Sequence, residues 1–154
     1  MGIKNGYDRS MDNARRYKPD ARIVGILVQR MAPQGIETII GAVKDPQFGQ
    51  TVMFGVGGIF VEVMKDVTFR VAPITKTDAF QMIHEIKAYP LLKGYRNLPP
   101  ADEEVISEIL LKVSNLTVDF QEISEIDLNP TMVYTQGASV VDARIILENE
   151  QSKV

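Results

Sequence analysis

The hydrophobic positions of this chain follow two different periods. Near both ends, short runs are continuously apolar or alternate with polar residues, a pattern typical of strands. Between them, apolar residues recur every three or four positions, as in helices that pack one face on a core. The predicted strands span residues 21–31, 36–43, 51–63, 66–74, 121–129, 131–134 and 139–147.

Two helices are predicted in the middle of the chain. Thr77 is placed to cap the first, which ends before Pro90. The second begins after Pro99 and Pro100, where a run of acids suits the positive end of a helix dipole. Because strands come first, then helices, then strands again, we expect an α+β domain with a largely antiparallel sheet and two main helices.

Turn residues predict how the strands pair. Ala-Pro-Gln-Gly at 32–35 predicts a hairpin between the strands at 21–31 and 36–43. Thr-Gln-Gly-Ala at 135–138 predicts a second hairpin between the last two strands.

The segment Glu-Ile-Asp-Leu-Asn-Pro at 125–130 gathers polar side chains on one face of a predicted strand. Alternation places Glu125, Asp127 and Asn129 on the face that also carries Ile123. Carboxylate and amide oxygens are ligands that Mg²⁺ accepts in proteins. Solvation of a surface strand explains the same pattern, so both interpretations stand at this point.

The last predicted hairpin adds another carboxylate, Asp142. With the turn centred near Gly137, antiparallel counting places Asp142 opposite Thr131 or Met132. That position is a few residues from Asn129, so the two side chains are expected to approach each other.

Two interpretations of this cluster are evenly balanced on spacing alone. In one, Asp127, Asn129 and Asp142 converge on a metal or phosphate site. In the other, the hairpin lies at the surface and Asp142 pairs with Arg144 or another base. The face predicted for the final strand consists of Val140, Asp142, Arg144 and Ile146.

A glycine pair interrupts the third predicted strand. Gly57 and Gly58 lie in Phe-Gly-Val-Gly-Gly-Ile-Phe, and glycines let backbone N–H groups approach an anion closely. The spacing is not that of a dinucleotide fingerprint, because position 60 is Phe, and no Gly-Lys-Ser/Thr of a P-loop follows. Taken alone, such a pair more often marks a tight turn or a bulge.

Four further acids are interpreted individually. Glu37 breaks an apolar strand and is expected to point to solvent. Glu62 and Asp66 are expected to be surface charges, and Asp45 is expected to cap a turn.

Composition excludes several classes of site. The chain has 154 residues, of which 45% are hydrophobic and 24% are charged, and its net charge of −3 predicts no affinity for nucleic acid or an anionic membrane. Cysteine is absent, so thiolate chemistry and Cys-ligated metals are excluded. The single histidine, His84, lies at the edge of a helical stripe and is expected to be structural. Without a signal-peptide pattern, a cytoplasmic location is expected.

Several blocks of the sequence together resemble a known family. They are GILVQRM, GIETIIGAVKDPQFG, VMFGVGGIFVEVMKDVTFRVAPI, MIHEIKAYPLLKGYR and EIDLNPTMVY followed by VVDARIIL. In order and spacing they resemble the ATP-grasp domain, the β subunit or β part, of ADP-forming acyl-CoA (acetyl-CoA) synthetases, relatives of succinyl-CoA synthetases. The match covers 14–148, which leaves an irregular segment at 1–13 and a tail at 149–154.

The resemblance implies a ligase chemistry. Such enzymes interconvert acyl-CoA, ADP and phosphate with a free acid, CoA and ATP, by way of an acyl phosphate and a phosphohistidine. The nucleotide lies between two lobes with Mg²⁺ on its phosphates, and catalysis is mainly positioning and charge neutralisation.

The resemblance also implies roles for the polar strand and the final hairpin. Asn129 and Asp142 match the Mg²⁺ ligands. Asp127 matches an acid near the phosphohistidine, and Glu125 is a weaker candidate.

Further residues are implied on the nucleotide. In the family, the segment that joins the two lobes meets the adenine, an acid faces the cleft, and a glycine pair approaches the transferred phosphoryl group. In that order, the matching residues are Val28, Gln29 and Met31, then Glu37, then Gly57 and Gly58. Glu62 and Arg70 lie in matching blocks without an assigned role.

The family domain normally begins well upstream of the first matching block. The expected N-terminal lobe carries a phosphate-binding lysine and a histidine proposed to shuttle phosphate, and His84 lies in the wrong block to replace that histidine. We therefore expect an N-terminally truncated component that needs partner chains, namely a CoA-binding α subunit, the missing lobe or both, in a hetero- or homo-oligomer. A non-catalytic module of the same family is the alternative. A related protein lysine acyltransferase is disfavoured, because no acetyltransferase domain is present.

Overall fold

The computed structural model describes residues 2–58, 65–95 and 99–148. The chain forms two compact units, Met1–Met31 and Ala32–Val154. The end of the predicted strand at 51–63, including Glu62, lies outside the described residues.

The first unit contains one helix, α1 (Ile3–Tyr17), so the expectation of an irregular segment over residues 1–13 is wrong. Ile3, Tyr7 and Met11 recur every four residues and form one face of α1. The helix ends just before Lys18, whose N–H still bonds to the carbonyl of Ala14. Pro19 follows and disfavours helical backbone at the residue before it.

The predicted strand at 21–31 is also wrong. These residues have no regular secondary structure, and Val24 and Met31 are 95% and 89% exposed. A strand needs a neighbour to satisfy its backbone and a surface to bury its side chains. The expected partner, the strand beginning at Ile36, has both edges occupied by other strands.

The second unit contains a six-stranded sheet in which the registered pairs are antiparallel. Its order is β3-β2-β1-β4-β5, and β6 also pairs with β4. This architecture confirms the predicted α+β class. The strands are β1 (Ile36–Asp45), β2 (Gly49–Val56), β3 (Val67–Val71), β4 (Ile123–Val133), β5 (Ala138–Val140) and β6 (Ala143–Leu147).

Two main helices and one short helical turn lie between β3 and β4. They are α2 (Lys76–Glu85), α3 (Tyr89–Leu92) and α4 (Glu103–Asp119). The cap of α2 is Thr75 rather than Thr77, because Thr75 forms a reciprocal capping box with Asp78. Asp102 caps α4 through a bond from the Val105 N–H.

The core lies between one face of the sheet and the two main helices. Ile40 and Phe54 from the sheet and Met82, Ile106 and Leu110 from the helices are fully buried in one cluster. Burying each such side chain contributes about 1.5–3 kcal/mol. The helices cover this face, so it cannot carry a solvent-accessible site.

The opposite face of the sheet, here called the open face, is exposed. Val43, Phe69 and Val71 are directed to it and are 45%, 48% and 50% exposed. Strand pairing connects them in rows, because Val43 lies opposite Thr51 and Thr51 lies opposite Val71. The strand register therefore shows which of the predicted site residues lie on the open face.

Several acids and bases outside the open face have structural roles. Asp66 is buried, and its carboxylate accepts bonds from the N–H groups of residues 87 and 88, so its predicted surface location is wrong. Asp45 accepts bonds from two turn N–H groups, which confirms its predicted role. Arg70 lies on the helix side and pairs with Glu85.

His84 ties two helices together. Its Nε2 lies 2.8 Å from an oxygen of Glu103, and its ring contacts that of Tyr89 at a tilt of 49°, with the centroids 4.5 Å apart. The side chain is 47% exposed. The structural role predicted for this histidine is confirmed.

Candidate functional site

Strand β4 makes an irregular step where the polar segment was predicted. Leu128 packs against the core, and Thr131, three residues later, is fully buried as well. Two residues three positions apart share a face only where strict alternation is interrupted. The pairing with β1 shows the same step, because Thr38 lies opposite Thr131 whereas Ile40 lies opposite Leu128. Such a bulge re-aims the side chains that lie within it.

A second irregularity corrects the predicted face of Ile123. The pairing of β4 with β6 shifts between Ile123 and Glu125, and Ile123 is buried with Ile126 in the core. Ile123 therefore does not share a face with Glu125 and Asp127, which are directed to the open face.

Asn129 and Asp142 lie directly opposite each other. The N–H of Asn129 donates to the carbonyl of Asp142 at 3.1 Å, and both residues are exposed. Asn129 lies in the step of β4, and Asp142 lies in the break between β5 and β6. The two predicted ligands thus come from matching irregularities on neighbouring strands.

The sequence-based register of this hairpin was wrong by about two to three residues. Asp142 was expected opposite Thr131 or Met132, but Thr131 pairs with Val140. The turn is centred earlier, because Val133 pairs with Ala138 and the N–H of Tyr134 donates to the carbonyl of Gly137, which closes the turn.

The prediction of a common face for the final strand is wrong at Val140. Val140 lies opposite the buried Thr131, on the helix side, whereas Arg144 lies opposite Asp127 on the open face. The break at Asp142 separates the two halves of this face.

The alternative in which Arg144 neutralises Asp142 is not what the structure shows. Arg144 pairs with Glu125 instead. Within residues 2–58, 65–95 and 99–148, no ion pair involves Asp127 or Asp142. These two carboxylates therefore keep their charge available for a cation, whereas Glu125 does not.

Glu37 and the glycine pair meet at the end of β1. The N–H of Gly57 donates to the carbonyl of Glu37 at 2.7 Å. A Cβ on Gly57 would lie 3.2 Å from the Cβ of Glu37, and one on Gly58 would lie 3.5 Å from Oε2 of Glu37. Gly58 has a φ of +70°, so it begins a turn as well as lying beside the carboxylate. The turn predicted for the glycine pair is confirmed at Gly58, and the approach of its backbone to an anion stays a prediction.

This second cluster lies close to the first on the same sheet. Glu37 is two residues before Ile39 on β1, and Ile39 lies level with the step that contains Asn129. At about 3.3 Å per residue, the two clusters are about 7 Å apart along the strand.

Two concavities adjoin these clusters within the second unit. A shallow depression of about 290 Å³ contains Asp127 and Asn129 beside Met53, and Glu125 forms part of its wall. A cavity of about 380 Å³ at the end of the sheet is lined by Glu37 among others. The other residues that line the cavity are Gln34, Gly35, Ile36, Pro99, Pro100, Ala101, Met132, Val133, Tyr134 and Thr135.

The residues predicted to meet adenine belong to the first unit. Val28, Gln29 and Met31 are exposed and lie in irregular backbone. Their role stays a prediction.

Asp102 fixes the hairpin that carries Asp142. Its carboxylate accepts a bond from the N–H of Gly137 at 2.8 Å, and its own N–H donates to the carbonyl of Tyr134. The bond from Gly137, and then that from Val105, hold the pKa of Asp102 below its usual value. The sequence predicts a helix that begins with this run of acids, but it does not show the bond from Gly137 to Asp102.

The donor set suits a hard cation that brings some of its own ligands. In the part of the chain that the structure describes, no three His, Cys, Asp or Glu side chains are grouped to hold a metal by themselves. Mg²⁺ commonly binds one or two carboxylates and completes its octahedron with water and phosphate oxygens. Asp142 and Asn129 fit that requirement, and Asp127 lies two residues before Asn129 on β4.

The sequence profile of the ATP-grasp domain family matches residues 2–147. This chain belongs to the ATP-grasp domain family. The acetate–CoA ligase [ADP-forming] I subunit beta of Pyrococcus furiosus is 56% identical to it over 137 residues. That alignment covers 89% of this chain but only 59% of the relative, so this ATP-grasp chain spans about three fifths of that subunit.

Solved structures show the same fold. The dinucleotide forming acetyl-coenzyme A synthetase 1 of Candidatus Korarchaeum cryptofilum, in complex with coenzyme A, Ca-AMPCP and HgCl⁺, has a TM-score of 0.89 and 51% identity. The match covers 95% of this ATP-grasp chain and 64% of that one. Another structure of the same synthetase, with coenzyme A and Mg-AMPPCP, has its phosphohistidine segment pointing towards the nucleotide binding site. Its TM-score is 0.76 at 50% identity, covering 92% of this chain and 64% of that one.

In the described part of the ATP-grasp chain, no helix is both long and apolar enough to cross a membrane.

Proposed function

We propose that this chain is the Mg²⁺- and nucleotide-binding component of an ADP-forming acyl-CoA synthetase. The overall reaction converts acyl-CoA, ADP and phosphate into a free acid, CoA and ATP. The observation that carries the proposal is the direct opposition of Asn129 and Asp142 in matching steps of neighbouring strands. A strongly similar relative is a β subunit, so a CoA-binding α subunit and the remaining part of the β chain are the proposed partners.

The proposed division of labour follows from the two clusters. Asp142 supplies charge and Asn129 supplies a neutral oxygen, so together they hold a divalent cation without excess negative charge. When bound, Mg²⁺ neutralises phosphate charge during phosphoryl transfer. Asp127 lies two residues before Asn129, where it faces the incoming phosphoryl donor.

Glu37 and the glycine pair form the second cluster of the proposed nucleotide site. The missing Cβ of Gly57 lets Glu37 pack against its backbone, and Gly58 beside it is proposed to approach the phosphate oxygens. The carboxylate of Glu37 beside them is proposed to orient nucleotide hydroxyls rather than phosphates, since like charges repel. Val28, Gln29 and Met31 are proposed to contact the adenine.

The cation site can be tested by ligand-dependent stabilisation. Mg-ADP is expected to raise the midpoint of thermal unfolding of the wild-type chain, because a ligand that binds only the folded state stabilises it. Asp142→Asn is expected to abolish that rise without lowering the midpoint of the free protein.

The matched control is Asp119→Asn, which removes an exposed acid at the end of α4. This variant is expected to keep the full response to Mg-ADP. An equal response in wild type and Asp142→Asn would contradict the assignment of the site.

The reaction itself needs the partners. ATP formation from acyl-CoA, ADP and phosphate is measured with the chain alone, with an α subunit, and with an α subunit plus the rest of the β chain. Activity is expected only in the complete mixture. Silence in every mixture, with Mg-ADP binding intact, would favour a nucleotide-binding module without turnover.

A further inference from the structure

Two buried threonines hold the step that presents Asn129. Thr131 and Thr38 are both 0% exposed and lie opposite each other on β4 and β1. The hydroxyl of Thr131 donates to the carbonyl of Leu128 at 3.2 Å, and the hydroxyl of Thr38 donates to the carbonyl of Thr131 at 3.0 Å. Both bonds are made inside the sheet, away from the cation site.

The first bond spans the two residues of the step. Leu128 and Thr131 are its endpoints, and Asn129 and Pro130 are the residues between them. A side chain that bonds to the backbone three residues earlier closes a local ring, which limits how the intervening residues turn. Pro130 carries no N–H, so the backbone has one donor fewer with which to fix this segment.

The second bond joins the ring to the centre of the sheet. Thr38 belongs to β1, which is paired on both edges. Thr38 thus ties Thr131 to β1, a strand that contributes no proposed ligand at the step. The hydroxyls of Thr131 and Thr38 thus brace the backbone on either side of Asn129 and Pro130 without belonging to the proposed ligand set.

We propose that Thr131 is a positioning residue for the metal site, acting through Asn129 with the help of Thr38. The inference rests on the proposed function, because it takes Asn129 as a ligand. Residues behind the ligands commonly change metal affinity by about 10- to 100-fold when they are altered.

The test compares Thr131→Val with a chemically identical change elsewhere. Thr117 is also 0% exposed, and its hydroxyl also donates to a carbonyl three residues earlier, that of Ser114 in α4. The affinity of the full chain for Mn²⁺ in the presence of ADP is measured by electron paramagnetic resonance. Thr131→Val is expected to lower this affinity about tenfold, and Thr117→Val is expected to leave it unchanged although it also loses a buried hydroxyl.

Two further variants separate positioning from general damage. Thr131→Ser restores the hydroxyl and is expected to restore the affinity to within about twofold of wild type, whatever it costs in packing. Thr38→Val removes the second bond and is expected to weaken Mn²⁺ binding in the same direction. If Thr131→Val does not fold, the Mn²⁺ affinity of Thr38→Val tests the positioning role in its place.

Hydrogen exchange supplies a readout without metal. The N–H of Asn129 bonds to the carbonyl of Asp142, so its exchange rate reports whether the step is ordered. This exchange is expected to accelerate in Thr131→Val and not in Thr117→Val.

The outcomes distinguish the inference from the proposed function. If Asn129→Ala weakens Mn²⁺ binding but Thr131→Val and Thr38→Val do not, the positioning role is wrong and the metal site stands. If Asn129→Ala and Asp142→Asn leave Mn²⁺ binding unchanged, the proposed function fails and the positioning role fails with it.

Discussion

At the scale of single residues, hydrogen-bond partners identify the aspartates that have structural roles. Asp45, Asp66 and Asp102 accept bonds from backbone N–H groups, so their oxygens are already used within the fold. Among the described residues, Asp127 and Asp142 have no such side-chain bond or ion pair. The same side chain therefore has two uses in this chain, and local sequence identifies only those next to turns or caps.

Gly57 is a position where one added carbon is expected to be harmful. Gly57→Ala places a Cβ 3.2 Å from the Cβ of Glu37 and 3.3 Å from its carbonyl carbon. Backbone atoms cannot move aside easily, so we expect a loss of about 1–3 kcal/mol in the free energy of unfolding. The measurement is denaturant unfolding, with Mg-ADP binding followed in parallel.

The matched control for that change is Gly25→Ala, where nothing lies within 4 Å of the added carbon. Its stability is expected to change by less than about 0.5 kcal/mol. Equal effects of the two substitutions would show that the contact with Glu37 is unimportant.

At the scale of elements, helix α4 and the β4–β5 hairpin are joined by a single carboxylate. Asp102 caps the helix through Val105 and at the same time holds the turn through Gly137. Because the same hairpin leads directly to Asp142, the start of a helix on the core side and a candidate ligand on the open face share one anchor.

The hydrogen bonds to the carboxylate of Asp102 predict that the free energy of unfolding depends on pH. Bonds from Gly137 and Val105 lower the pKa of Asp102 in the folded state below its unfolded value. The stabilisation is therefore fully present above the unfolded pKa and is lost as the pH falls through the folded pKa. Val105 and Gly137 donate to different oxygens of Asp102, so Asp102→Asn leaves one of the two N–H groups without an acceptor and is expected to cost about 1–2 kcal/mol near neutral pH.

The free energies of unfolding of wild type and Asp102→Asn are measured by denaturant titration at several pH values. Their difference is expected to shrink as the solution is acidified below the pKa of a free aspartate. The control Asp119→Asn removes a carboxylate without this partner. A difference between wild type and Asp102→Asn that stays constant down to the lowest pH would rule out the carboxylate bond as the cause.

Elements with a complete local signal were predicted well. Strand β1 and helix α4 each combine the right period with clear end signals, such as the acids after Pro100. Residues 21–31 are equally apolar, but a strand also needs a partner, and periodicity does not identify one. The register of the last hairpin failed because the part played by Gly137 depends on its backbone conformation, with a φ of +79°.

The candidate site was predicted less completely than the fold. Spacing brought Asp142 towards Asn129, and the resemblance to a family predicted these two as ligands, which stays a proposal. The sequence did not indicate a role for Thr131 or Thr38, because threonine is a common residue in strands. What distinguishes them is a bond across a register shift, and such a shift is visible only once the strands are paired.

At the scale of the whole molecule, the buried hydrophobic core formed by the described residues lies in the second unit. The buried hydrophobic cluster runs from Ile40 to Val133, and helix α1 contributes no buried residue. A unit with its own core can fold by itself.

The fragment 32–154 is therefore expected to fold without the first 31 residues. Its thermal unfolding should be cooperative, with a midpoint within about 4–8 °C of that of the whole chain, the shift that about 1 kcal/mol causes in a small domain. Circular dichroism is expected to show less helix, because α1 is absent.

The same fragment is expected to lose affinity for ADP, because it lacks Val28, Gln29 and Met31. A fragment that unfolds without cooperativity would contradict the independence of the second unit. Undiminished ADP affinity would contradict the proposed adenine contacts.

The hydrogen bond between Asn129 and Asp142 has a consequence for how a cation would bind. The two residues are only 13 positions apart in sequence, and the hairpin between them closes as the domain folds. The loss of chain entropy needed to bring them together is therefore borne by folding and not by the arriving ion. What remains for the ion is the removal of its own water, a step at which Mg²⁺ is reluctant. We therefore expect dehydration of the ion, rather than rearrangement of the chain, to limit the rate of metal binding.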